Sequence, residues 1–278
     1  MVGVFEYGCL AASMNGFDYQ LKKPWLPNMA RPPRLQFKPG GAHDDFLNPV
    51  SLRRLELQFS RRAILNALIE ELPNFRGTML DVGCGRMPYK PILLAPPSGV
   101  TNYIGLDLPG GQYAQFGPFD LEWDGKTIPL GDTTIDCAMA TEVLEQCPHP
   151  GAVVHEVLRV LKPGGRFFFT VPFLWPIHDP PLDQHRLTPF ALERMFDKAG
   201  FAELQLRIFG GWDASLAQMI ALWVRRRPMG RWCRAALTLA AWPVVRLLIN
   251  IDRAPTSIEE FRRTVMITGI SGTAVKAM

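Results

Sequence analysis

No Cys-x-x-Cys pair occurs in this chain. Its five cysteines, Cys9, Cys84, Cys137, Cys147 and Cys233, are odd in number and scattered. That excludes a disulfide framework and a cysteine zinc site, and suits a reducing cytosol. Acidic residues are missing from two segments. Lys22 to Lys38 holds five basic residues and no acid, and Ala214 to Asn250 holds six arginines and no acid. Nowhere does an apolar run reach the roughly 20 residues of a membrane-spanning helix. The nearest, "AALTLAAWPVVRLLI" from Ala235 to Ile249, is broken by Pro243 and Arg246, so the expectation is that it does not cross a bilayer. The opening residues have no basic run and carry Glu6 early, so they are not expected to be a signal peptide. There is no internal repeat and no low-complexity tract.

What is present suits one large α/β unit with extensions. The 278 residues are 47% apolar and 20% charged, enough for a sizeable core, and the net charge of +4 is too mild to argue for nucleic acid. Residues 1–47 read as an arm, extended by Pro24, Pro27, Pro32 and Pro33. Asn48-Pro49 reads as a helix cap, and apolar residues at helical spacing follow to about Glu71. From residue 78 to about 210 strands and helices alternate. The pattern predicts strands at 78–82, 101–107, 116–120, 134–140, 165–172 and 202–209, and helices at 88–95, 148–161 and 188–199. Residues 211–250 read as a helical insertion or cap, and a last strand is expected near Thr264 to Val275. Such alternation predicts a parallel sheet wrapped by helices, with ligands at the carboxyl ends of its strands.

The stretch "TMLDVGCGRMPYKP", Thr78 to Pro91, falls at such an end. Gly83 and Gly85 allow a ligand to approach the backbone closely. Asp107 ends the next strand, 22 residues after Gly85, where an acid can accept both ribose hydroxyls of an adenosine. A dinucleotide loop would carry a third glycine and bare amides, but Pro88 removes one amide and Pro91 follows. An adenosine whose tail is an amino acid suits the loop better.

Together, "LDVGCG", Asp107 and "LKPGGRFFFTVPF" resemble the class I S-adenosylmethionine-dependent methyltransferases over residues 75 to 210. The resemblance implies a Rossmann-like seven-stranded sheet with one antiparallel strand and helices on both faces. It implies S-adenosylmethionine as cofactor. Asp81, Gly83 and Gly85 would line its methionine part, Asp107 would hold the ribose, and Leu108 would flank the adenine. Asp120 would reach the adenine amino group with Leu121 beside it, Asp124 being a rival for that role. Thr141 and Glu142 would face the methyl group. Two departures are Arg86 or Met87 in place of the third glycine, and Gln146 where a histidine is common. "MPYKP" and "VPFLWPIHDPPLDQHRLTP" are similar to methyltransferases of sugar and cell-surface polysaccharide pathways, which implies transfer to a hydroxyl of a small molecule or glycan intermediate.

Alignment of donor and acceptor can supply about 7–11 kcal/mol of the barrier. A hydroxyl must also lose a proton, and a positioned base adds about 10²–10⁴-fold. His178, His185 and Asp183 are the candidate catalytic residues, with Asp179 and Arg186 beside them. Covering the cofactor and capping a helix at Thr188 is the competing role for this loop. No metal is expected, because methyl transfer requires none and the spacing of these residues matches no familiar site. Cys84 reads as a small packed side chain. A non-catalytic module of the same fold, docking to a partner or membrane surface, is the alternative. The expected location is cytoplasmic, with peripheral contact at the membrane inner face through 214–250 as an option. The sequence assigns no oligomeric state.

Overall fold

The computed structural model describes Phe46 and residues 52–110, 119–254 and 265–278. Apart from Phe46, the arm at 1–47 lies outside the described residues, as do the Asn48-Pro49 cap and most of the strand expected at 116–120. A short 3-10 helix, Leu52–Leu57, leads into α1, Gln58–Glu71. The sheet strands are β1 (Arg76–Val82), β2 (Gly99–Asp107), β3 (Leu121–Glu122), β4 (Ile135–Thr141), β5 (Leu161–Pro172), β6 (Glu203–Phe209) and β7 (Gly269–Val275). The helices after α1 are α2 (Lys90–Leu93), α3 (Pro150–Val160), α4 (Pro189–Ala199), α5 (Trp212–Arg226) and α6 (Arg231–Ile251).

The seven strands lie in the order β3-β2-β1-β4-β5-β7-β6. β7 runs antiparallel to both its neighbours and the other pairs are parallel. This is the Rossmann-like sheet with one reversed strand that the resemblance implies. Its central strands are buried on both faces, which is why they read as near-continuous apolar runs. Along β5 the side chains still alternate. Phe167 and Phe169 join the core under α3 and α4, while Phe168 joins the core under α1 and α2. Phe167 and Phe169 stack on Phe196 of α4 with ring centroids 5.8 and 4.5 Å apart. α4 begins where Thr188-Pro189 predicts: the Thr188 hydroxyl accepts from the Ala191 amide at 3.2 Å. Gly200, at φ +99°, closes it in the left-handed conformation that glycine adopts freely.

Two expectations are corrected. Asp120 does not end a strand, and β3 is only Leu121–Glu122. The Asp120 carboxylate accepts the Gly105 amide at 2.8 Å, so a side chain occupies the ladder position and backbone pairing with β2 starts at Leu106–Leu121. Second, the apolar stretch at 235–249 is not broken. α6 is one helix of 21 residues running through Pro243, long and apolar enough by length and composition to cross a membrane. Pro243 is exposed, so the carbonyl it leaves without a helical donor can meet water.

β6 points the same way as β5, and α5 therefore leaves from the carboxyl edge of the sheet. Asp252, just past α6, accepts from the amides of Gly211 (2.9 and 3.0 Å) and Ala214 (2.8 Å). The α5–α6 hairpin is thus rooted at that edge.

Candidate active site

The carboxyl ends of β1, β2, β4 and β5 build the site. After Val82 the chain turns through Gly83 (φ +68°) and Gly85 (φ +52°). The amides of Gly83 and Cys84 donate to the Leu106 carbonyl at 2.8 and 3.1 Å, which folds the loop over the end of β2. A Cβ on Gly83 would come within 2.5 Å of Val143, so close packing as well as φ requires glycine here. Met87, one of the two candidates for the missing third glycine, itself has φ +52°. Its sulfur fits because Gly105 opposite has no side chain: a Cβ there would lie 3.2 Å from Met87 Sδ and 3.0 Å from Cys84 Sγ. Cys84 is buried, and burial beside Asp81, Asp107 and Asp120 pushes its thiol well up, leaving it inert.

Asp81 is buried on β1. Its Oδ2 accepts from the Tyr103 hydroxyl, and its Oδ1 has no partner. Burial raises its pKa to about 7, against the Tyr103 hydrogen bond and with help from the Asp107 charge. Asp107 is half-buried. Its Oδ2 accepts from the Gly85 amide at 2.8 Å and its Oδ1 from the Leu108 amide at 2.7 Å. Each oxygen keeps a further lone pair. Leu108 and Leu121 pack against the core beneath. Asp120 is exposed, 4.0 Å from Lys90 Nζ. Asp124 is exposed and caps a turn by accepting from the Lys126 and Thr127 amides at 2.8 Å. An unpartnered buried carboxylate oxygen beside the glycine loop fits the ammonium of S-adenosylmethionine. Asp107, with lone pairs to spare, fits its ribose.

Thr141 ends β4, paired with Thr170 of β5. Glu142 follows at φ +57°, an uncommon conformation for a residue with a side chain. It is held there because its amide donates to the Thr170 carbonyl at 3.0 Å and its Oε1 accepts from the Thr170 hydroxyl at 2.9 Å. Burial raises the Glu142 pKa to about 7, although Thr170, Arg61 and Arg186 favour the charged form. Glu145, a turn further on, is fully buried with neither carboxylate oxygen paired. Burial and the Glu142 charge push it well up.

The loop at 173–187 comes from the end of β5 and lies across this turn, where the amides of Gln184 and His185 donate to the Glu145 carbonyl at 2.9 and 3.0 Å. Within it, Arg186 grips Asp183 with both nitrogens, at 2.5 and 2.8 Å. His178 places its amide and its Nδ1 each 3.1 Å from Asp183 Oδ2. The Arg186 guanidinium holds Asp183 down at about 2. His185 joins the loop through its backbone, and its buried Nε2 has no partner.

So the structure gathers the predicted Asp81, glycine loop and Asp107 at one place, and the predicted His178 and Asp183 at another along the same edge. The residues that sequence reading missed act through space. Tyr103 is one. Arg61 of α1 is another, with its guanidinium 3.6 Å from the Phe46 ring and its charge felt by Glu142. Tyr89 within "MPYKP" is buried edge-on to Phe46. That motif was the only signal for Tyr89. Among the described residues no group of three or more His, Cys, Asp or Glu could hold a metal ion.

Residues 80–169 match a protein family described as a methyltransferase domain. The mouse thiol S-methyltransferase TMT1B is 25% identical over 134 residues, 45% of this chain and 55% of that protein. An uncharacterized methyltransferase of Mycolicibacterium paratuberculosis is 27% identical over 190 residues, covering 61% of this chain and 71% of the relative. The chain spans about half the length of the first curated relatives it matches. Among solved structures, a methyltransferase from Thermotoga maritima described as a possible histamine N-methyltransferase superposes with a TM-score of 0.49 at 16% identity. It covers 80% of this chain and 91% of its own.

Proposed function

We propose that this chain, whose residues 80–169 match a methyltransferase domain family, is a class I S-adenosylmethionine-dependent methyltransferase that transfers the methyl group to a hydroxyl of a small molecule or glycan intermediate. One observation carries the cofactor assignment: the buried, unpartnered Oδ1 of Asp81 beside the glycine loop. Asp81 takes the ammonium, Asp107 the ribose, and Leu108, Asp120 and Leu121 flank the adenine side, while Thr141 and Glu142 lie toward the methyl. When bound, S-adenosylmethionine supplies a methyl group already activated by its sulfonium.

The chain's own contribution is alignment and the removal of one proton. His178 Nδ1 faces Asp183, so a proton on that nitrogen leaves Nε2 as the acceptor. Nε2 takes the acceptor's hydroxyl proton as the new oxygen–carbon bond forms. Asp183, held anionic by Arg186 at neutral pH, orients the ring; at a pKa of about 2 it is too weak a base to take the proton itself. His185 is the second candidate base. A thiol acceptor is the second reading, supported by the likeness to the mouse thiol S-methyltransferase. Among the described residues four cysteines are free and three of them are buried, which supports the reading of a reducing, cytoplasmic location.

Calorimetry with S-adenosylmethionine tests the cofactor, and a panel of hydroxyl and thiol acceptors with methyl-labelled cofactor tests the reaction. His178→Ala should lower turnover of a hydroxyl acceptor by about 10²–10⁴-fold, with cofactor affinity nearly unchanged. Failure of the wild type to bind S-adenosylmethionine would return the chain to the non-catalytic alternative. Methylation of thiols alone would overturn the hydroxyl assignment.

A further inference from the structure

We propose that the α5–α6 hairpin is a docking surface for an anionic lipid bilayer, lying in the plane of the membrane. This is independent of the transfer reaction. On α5, Trp212, Leu216, Met219 and Trp223 recur every three or four residues and all are exposed, so they form one apolar stripe. α6 extends it with Trp232 (75% exposed), Leu239 (66%) and Leu247 (59%). Of the 21 residues of α6 only Thr238 and Val245 are buried. An apolar face on this scale, left open to water, marks an interaction site.

Charge selects the partner. Between Asp213 and Asp252 the hairpin has six arginines and no acid. Glu56 offsets Arg225 and Arg226, at 3.5 and 3.6 Å. Three other guanidinium groups rest on exposed tryptophans: Arg227 on Trp223 at 4.1 Å, Arg231 on Trp232 at 4.7 Å and Arg246 on Trp242 at 5.5 Å from the ring centroids. Indole with a cation beside it suits the headgroup layer, where apolar ring and charged group are both satisfied. A second copy of the same face would set arginines against arginines, with no acid between Asp213 and Asp252 to pair them.

The orientation follows from packing. The other side of α5 is buried through Ala214, Ala217 and Ala221, and Val245 of α6 packs with Leu55. To cross the bilayer α6 would have to leave these contacts and carry Arg246 into the hydrocarbon. Lying flat, it keeps both.

The full chain should co-sediment with phosphatidylcholine vesicles containing phosphatidylserine and not with phosphatidylcholine alone, and added salt should release it. Brominated acyl chains should quench its tryptophan emission. Arg227→Glu with Arg231→Glu should weaken binding about tenfold or more, as should Leu239→Glu with Leu247→Glu. These side chains are exposed, and unchanged thermal unfolding would show the variants folded. Three results would overturn the proposal: protein left in the supernatant with anionic vesicles at low salt, a lipid-free dimer dissolved by Leu239→Glu, or extraction by detergent only, which means α6 spans.

Discussion

Single residues at the site are under two kinds of constraint. Gly83 is constrained sterically. An alanine there would hold a left-handed backbone at about 1–2 kcal/mol and press its Cβ on Val143, where overpacking costs a further ~1–3 kcal/mol. Gly83→Ala should therefore lower stability in urea denaturation, and Val143→Ala in the same background should restore part of the loss. Asp81 is constrained electrostatically. Alone in its buried position it holds its proton up to about pH 7, but an ammonium needs the carboxylate. S-Adenosylmethionine affinity should therefore rise with pH through about 7 and binding should release a proton. Calorimetry in buffers of different ionisation enthalpy reads that proton directly. Asp81→Asn should abolish both the release and the pH dependence.

At the scale of elements, two acidic side chains fix segments at the carboxyl edge of the sheet, one a loop and the other the start of a helix. Asp183 holds His178, and Arg186 holds Asp183 by a two-pronged contact that lysine cannot copy. Arg186→Lys should reduce kcat more than it changes cofactor Kd, and should raise the pH at which activity falls in acid if Asp183 is then less firmly ionised. The pH–rate profile measures this. Asp252 plays the same part for α5, pairing the buried Gly211 amide and the Ala214 amide. Asp252→Ala strands them, a loss of about 1–3 kcal/mol. Hydrogen exchange should show the first turn of α5 opening ahead of the sheet.

For the whole molecule the charges sum to a pH profile. Asp81 is raised from 3.8 to about 7, and Glu145 is raised too. Between 3.8 and about 7 the folded chain keeps on Asp81 a proton that the unfolded chain has released, so stability falls as pH rises through that range, and Glu145 acts in the same sense. For Asp81 the full effect is on the order of 4 kcal/mol. Asp183 acts in the opposite sense: it is lowered to about 2, so its stabilisation is present above the unfolded value and is lost as pH falls through 2. Thermal unfolding should be highest in acidic buffer and decline toward about pH 7. Glu145→Gln should flatten that decline, because the neutral amide needs no deprotonation.

The amino-acid sequence alone determined the alternation of strands and helices, the glycine turn after β1 and the acid at the end of β2. Each is written in local periodicity or in spacing within one β-loop-β unit, and backbone sterics force the reading. The tertiary structure alone decided who partners whom. Tyr103 meets Asp81 across two strands, Glu142 depends on Thr170 for its strained backbone, and Asp120 gives its carboxylate to the Gly105 ladder position instead of ending a strand. No periodicity encodes such contacts, because they arise only when separate segments are packed side by side. Pro243 shows the same limit within one helix. By local rules it stops α6, yet the helix continues, because α5 supports one side and the proline sits on the other, where water can take the carbonyl left without a donor.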